Sequence, residues 1–165
     1  MHLGVIILTI FAAWQKGDWK NWERYHSTML FVAMSNLLYN FIYFNHFLWQ
    51  LKPDFLFNHV MGEMFYTFIV FPFSAFILLS NYPKDLKKQV YRIAKFITVY
   101  ILIEWIFLEY GRIVHKYGWN MWWSLAWDCM MFPIWVLHYK KPLIAYFVSF
   151  VVVVVVVLLF PPNFY

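Results

Sequence analysis

Four carboxylates lie within apolar stretches of this sequence, where ionisable side chains are costly and commonly functional. They are Glu63, Glu104, Glu109 and Asp128. At a helical rise of about 1.5 Å per residue, Glu104 lies about 12 Å before Arg112 and Asp128 about 13 Å after Trp119. Because Arg112 and Trp119 mark the same predicted membrane surface, we expect Glu104 and Asp128 to lie at similar depth on consecutive antiparallel helices.

Two carboxylates at one depth could share a proton or bind a cation. Asn36, Asn40 and Tyr43 follow an i, i+4, i+7 spacing and so share one predicted helix face. We expect that face to complete a ligand or ion site with Glu104 and Asp128. The alternative is that these polar side chains only form hydrogen bonds that hold helices together.

The sequence has fewer features that would indicate a metal site or an enzyme. His59 and Glu63 have the i, i+4 spacing that can hold a metal when a further ligand arrives from elsewhere. The sequence has no HExxH motif, no glycine-rich phosphate loop and no GxSxG motif, so it indicates no complete metal site and no particular cofactor. A membrane-embedded enzyme acting on a lipid would need His59, Glu63 and Glu109 to converge.

The composition predicts the setting of these residues. The 165 residues are 64% hydrophobic and 13% charged, against about 45–50% and 25% in ordinary soluble domains. A soluble domain of this size cannot bury so much apolar surface. The composition therefore excludes a soluble enzyme and predicts one integral membrane domain over residues 1–165. With Cys129 as the single cysteine, an internal disulfide is also excluded.

We predict an all-α bundle of six transmembrane spans, since about 20 apolar residues cross the hydrocarbon core as a helix. The first span, residues 2–14, is short, and in a five-span alternative it lies on the membrane surface. The other predicted spans are residues 29–51, 61–80, 93–110, 119–137 and 143–160. Pro72 and Pro133 fall inside two of them and predict kinks.

Basic residues fall unequally on the two sides of this bundle. Three loops that share one side contain ten of them: Lys16, Lys20, Arg24, Lys84, Lys87, Lys88, Arg92, Lys95, Lys140 and Lys141. The other side has Lys52, Arg112 and Lys116. The positive-inside rule assigns the first set to the cytoplasm and both termini to the outside of the cell membrane. We therefore interpret the net charge of +5 as a topology signal and not as a nucleic-acid-binding one.

Several short motifs carry a family resemblance. They are GDWKNW at 17–22, NLLYN at 36–40, YPK at 82–84, WNMWWS at 119–124 and HYKKP at 138–142. Together they resemble a family of uncharacterised small multispanning membrane proteins from spore-forming Gram-positive bacteria. The resemblance implies a membrane location and a helical architecture, and it implies no activity, cofactor or catalytic residue.

The leading functional hypothesis is a small cation or proton channel or transporter that uses Glu104 and Asp128. A chain this small leaves little room for a pore, so we expect a homo-oligomer. The alternative is a structural or sensory subunit that binds a partner membrane protein or a lipid, with the carboxylates only joining helices. The lipid-modifying enzyme is a second alternative. The expected partners are the lipid bilayer and either further copies or another membrane protein, and no nucleic acid.

Overall fold

The computed structural model describes residues 1–44, 46–53 and 58–162. These residues form six helices: α1 (His2–Lys16), α2 (Glu23–Ile42), α3 (His59–Leu79), α4 (Leu86–Glu109), α5 (Met121–Lys140) and α6 (Pro142–Leu159). A 3₁₀ turn, Trp19–Asn21, precedes α2. Two three-residue strands, β1 (Trp49–Leu51) and β2 (Ile113–His115), pair antiparallel. The predicted all-α class is confirmed.

Polar N-cap residues fix where three of the helices begin. The side chains of Asn58, Asp85 and Asn120 accept hydrogen bonds from first-turn amides of α3, α4 and α5. Such caps satisfy backbone donors that have no partner within the helix. α4 therefore begins seven residues earlier than the predicted segment 93–110. As a result, the basic residues between 87 and 95 lie in the first turns of a helix and not in a loop.

The predicted segment 29–51 is wrong at both ends. α2 begins at Glu23 and ends at Ile42, and the chain beyond it forms β1. The physical reason is the pairing of β1 with β2, which satisfies the backbone of this apolar stretch without a helix. Asn45, which falls inside the predicted segment, lies outside the described residues.

The structure does not support six membrane spans. Among the described residues, α3 and α6 are the helices long and apolar enough to cross a membrane. α1 has 15 residues, and α4 carries lysine, arginine and glutamate side chains along its length. The prediction counted every Trp and Tyr as apolar. The indole N–H and phenol O–H of these side chains make them amphipathic, so helices rich in them, such as α5, score lower on hydropathy.

α3 and α5 form the centre of the bundle. α1 and α2 pack on α3, α2 also packs on α5, and α4 and α6 pack on α5. The main core contains Phe76 of α3 with Phe132 and Trp135 of α5, all nearly inaccessible. α6 contributes little to this core, since only 6% of its apolar window is buried. The helix with seven consecutive valines therefore packs along one face on α5 and presents its other face to the surroundings.

The two internal prolines are accommodated differently. Pro72 follows a π-helical turn, Tyr66–Val70, in the middle of α3. A proline removes one backbone donor, and a widened turn just before it is a common way to absorb that loss. α5 stays helical through Pro133.

Candidate functional site

Helices α1 to α5 surround a cavity of about 850 Å³. α2, α3 and α5 form its floor, and α1 and α4 form its two sides. The residues of α4 that line it run from Lys88 to Phe107. At 1.5 Å per residue this stretch is about 28 Å long, close to the roughly 30 Å thickness of a hydrocarbon core. The cavity is thus long, narrow and comparable in length to a bilayer interior.

The two ends of the cavity differ in chemistry. At one end the two-stranded sheet covers it with Leu48, Leu51 and Ile113, which are almost completely buried. At the other end three lysines line it, namely Lys16, Lys88 and Lys95. We call these three lysines the basic mouth. The cavity is therefore covered at the sheet end and positively charged at the opposite end.

Glu104 and Asp128 both line this cavity. Glu104 Oε1 lies 2.7 Å from His115 Nε2 and accepts a 2.5 Å hydrogen bond from the Ser124 hydroxyl. Trp119 Nε1 donates in turn to Ser124 Oγ at 2.9 Å. These contacts join α4, β2 and α5 through one carboxylate. Glu104 is therefore a firmly held acceptor.

Asp128 has a different environment. It lies one helical turn after Ser124 on α5 and is 5% exposed. Its Oδ2 atom has no hydrogen-bond partner among the described residues, and its charge interacts with that of Glu104. A buried carboxyl oxygen without a partner is costly. A proton, a water molecule or a ligand group in the cavity would satisfy it.

Asn36, Asn40 and Tyr43, which are predicted to share one helix face, make separate contacts in the structure. Asn36 lines the cavity and donates to Thr67 Oγ1 at 2.7 Å. Asn40 donates to the Asn36 carbonyl at 2.9 Å, and Tyr43 donates to the Phe160 carbonyl at 2.9 Å. Tyr43 follows the last residue of α2, where the backbone leaves helical geometry. Its side chain therefore contacts the end of α6, and Tyr43 does not line the cavity.

The candidate metal pair lies outside the cavity lining. His59 Nδ1 is 3.1 Å from the Leu51 carbonyl and 3.9 Å from Glu63 Oε1. Across residues 1–44, 46–53 and 58–162, no group of three or more His, Cys, Asp or Glu side chains could hold a metal ion. Glu109 is exposed at the end of α4 and does not line the cavity.

His115 and Ser124 are site residues that the sequence reasoning missed. From the sequence, His115 lies beyond the predicted 93–110 span and so is expected at the rim of the bundle. In the structure the pairing of β2 with β1 folds this segment back onto the bundle, with Trp49 opposite His115. Side chains two apart on a strand share a face, so His115 points the same way as the cavity-lining Ile113. The Asn120 cap fixes where α5 begins. That start is the sequence signal from which the position of Ser124 on the helix could be predicted.

Comparison with known proteins found no matching family model, no matching curated protein and no matching solved structure. The family resemblance of the sequence motifs therefore stays a prediction. Functional inference for this chain depends on the geometry of its own side chains.

Proposed function

We propose that this chain is a small multi-pass membrane protein that transports protons through the cavity between α1 and α5. The observation that carries the proposal is that Glu104, Asp128 and Asn36 line one cavity about as long as a hydrocarbon core is thick. Intramembrane carboxylates that face a shared cavity are the usual elements of proton relays. The Glu104–Asp128 pair is the protonatable site of the transporter.

A membrane location is supported by the apolar surface of the bundle. Large apolar side chains such as Leu8, Phe41, Phe147 and Leu158 are more than half exposed. α6 in particular has no polar interior residue except Ser149. The bundle spans the cell membrane with both termini outside and the basic mouth on the cytoplasmic side. Lipid or a second copy of the chain covers α6.

The proton path follows from the contacts of the two carboxylates. Asp128 accepts a proton from the cavity at the oxygen that lacks a protein partner. The proton then passes to the pair formed by Glu104 and His115, whose Oε1 and Nε2 atoms are 2.7 Å apart. The Ser124 hydroxyl, which donates to Glu104, keeps that carboxylate oriented. Asp128, Glu104 and His115 are groups that can bind and release a proton, so the transported cation is the proton.

Reconstitution into liposomes tests this proposal. The full chain is placed in vesicles that contain a trapped pH indicator, and a potassium diffusion potential drives protons inward. We expect acidification several-fold faster than in protein-free vesicles, because the carboxylates provide a path across the hydrocarbon. Acidification at the protein-free rate under both signs of the potential would contradict proton transport.

A structural subunit is the second candidate function. It is favoured by the way in which Glu104 joins α4 to β2 and α5 through His115 and Ser124. Hydrogen bonds of this kind hold membrane helices together without any transport. The two candidates differ in one measurable respect: a structural subunit has no proton flux for a carboxylate substitution to remove.

A further inference from the structure

The basic mouth concentrates positive charge that the protein itself leaves uncompensated. Lys16, Lys88 and Lys95 are exposed, and none forms an ion pair with an acidic side chain of the described residues. Asp18, two residues after Lys16, accepts hydrogen bonds from Asn21 and Tyr25. Asp85, three residues before Lys88, accepts one from the Lys88 amide. Arg92, which also lines the cavity, donates to three backbone carbonyls at the end of α3. The lysines are therefore the cations available to a ligand.

The cavity beyond the basic mouth is long and mainly apolar, with the polar side chains of Tyr100, Glu104 and Asp128 at intervals along it. On α4 the cavity-facing stripe continues from Lys95 through Phe96, Val99, Ile103 and Phe107. Dividing 850 Å³ by the length of about 28 Å gives a mean cross-section of about 30 Å². A compact polar solute would leave most of this apolar length empty. An extended chain fills it and is stabilised by burial of its apolar surface.

The side of the cavity between α1 and α4 is open. α1 packs on α3, and α4 packs on α5. α1 and α4 contact each other at the sheet end through the rings of His2 and Phe107. Nearer the basic mouth, Leu8 of α1 and Tyr91 and Val99 of α4 line the cavity yet remain 67%, 73% and 44% exposed. A lipid can therefore enter sideways from the bilayer.

We propose that the cavity binds a membrane lipid with a phosphate headgroup, the phosphate at the basic mouth and a hydrocarbon chain along the apolar stripe of α4. The inference rests on the proposed function because it assigns a ligand to the same cavity, and a bound chain displaces water from the proton path, so the bound lipid inhibits transport. Each lysine near an anionic headgroup favours binding, and the predicted cytoplasmic side is where anionic lipids are found. Free phosphate would match the charge but not the apolar length, so the ligand is a lipid.

Native mass spectrometry of the detergent-solubilised full chain tests this binding without requiring transport. The probes are dioleoyl phosphatidate, dioleoyl phosphatidylcholine and glycerol 3-phosphate. We expect phosphatidate to bind most tightly. Replacing Lys16, Lys88 and Lys95 together by Gln is expected to weaken phosphatidate binding by about 10- to 100-fold. The matched control replaces Lys20, Lys84 and Lys87 by Gln, which removes the same charge outside the cavity lining and is expected to leave binding nearly unchanged.

A second pair of variants tests the chain-binding part of the cavity. Val99→Trp fills the apolar stripe and is expected to weaken phosphatidate binding by about tenfold or more. Val90→Trp, also exposed on α4 but outside the cavity lining, is expected to have no effect. Equal weakening by both lysine triples, equal effects of both tryptophans, or glycerol 3-phosphate binding as tightly as phosphatidate would overturn the inference. Lipid binding without proton flux would contradict only the proposed function.

Discussion

Asp128→Asn is expected to reduce proton flux in liposomes to the protein-free rate. Asparagine has nearly the same shape as aspartate but does not bind and release a proton as a carboxylate does. The relay therefore loses the group that first accepts the proton. Groups that transfer protons in proteins contribute about 10²–10⁴-fold to the rates they support. Because Asp128 Oδ2 makes no hydrogen bond within the described part of the chain, the substitution breaks no such contact, and folding is expected to be retained. The flux assay on protein with a wild-type unfolding temperature measures this.

Glu63→Gln is the matched control for Asp128→Asn. Glu63 is also a helix carboxylate with one buried oxygen that has no partner among the described residues. It lies beside His59 and does not line the cavity. We expect Glu63→Gln to keep the wild-type flux. If Asp128→Asn also kept it, or if both variants lost it equally, the cavity would not be the proton path.

Phe132→Ala is expected to lower the free energy of unfolding by about 3–5 kcal/mol. Phe132 is fully inaccessible at the centre of the bundle. Its ring packs against Phe96, Tyr100 and Trp135, with centroid distances of 5.7, 5.0 and 4.9 Å. Alanine would leave a cavity between α4 and α5 that neighbouring aromatic rings cannot fill without leaving their own contacts. Equilibrium unfolding in detergent micelles, followed by circular dichroism, measures the loss.

Phe150→Ala provides the comparison for Phe132→Ala. Phe150 lies on α6 and is 67% exposed, so the same substitution removes little packing. We expect a change within about 0.5 kcal/mol. Similar losses for the two variants would mean that α5 is not the centre of the core.

The helical class could be predicted because it depends on local patterns. Apolar length and positive charge in loops set the segments, and residue counts put Glu104 and Asp128 at similar depth. In the structure both side chains line one cavity. The predicted segments 61–80 and 143–160 also lie within two residues of the observed bounds of α3 and α6. Long apolar runs are the pattern in which a sequence identifies helices best.

The remaining features depend on contacts between distant residues. The pairing of Trp49 with His115 joins two loops whose association no local pattern indicates. It ends α2 early, covers one end of the cavity and brings His115 to Glu104. The basic stripe of α4 is expected in a loop when apolar length alone defines the span, because its lysines and arginine lower the hydropathy of the first turns. Asp85 followed by Lys88, Arg92 and Lys95 has the pattern of a capped helix with one basic face.

The most direct test of the central claim is whether water reaches the cavity of the membrane-embedded protein. With Cys129 replaced by Ala, Ser35→Cys adds a thiol in the cavity lining, and Ser149→Cys adds one on α6 outside it. A charged, membrane-impermeant thiol reagent reacts with the thiolate, which forms only where water is present. We predict rapid modification at position 35 with loss of proton flux, and no modification at position 149. Protection of both positions, or modification at 35 with unchanged flux, would contradict a proton path through this cavity.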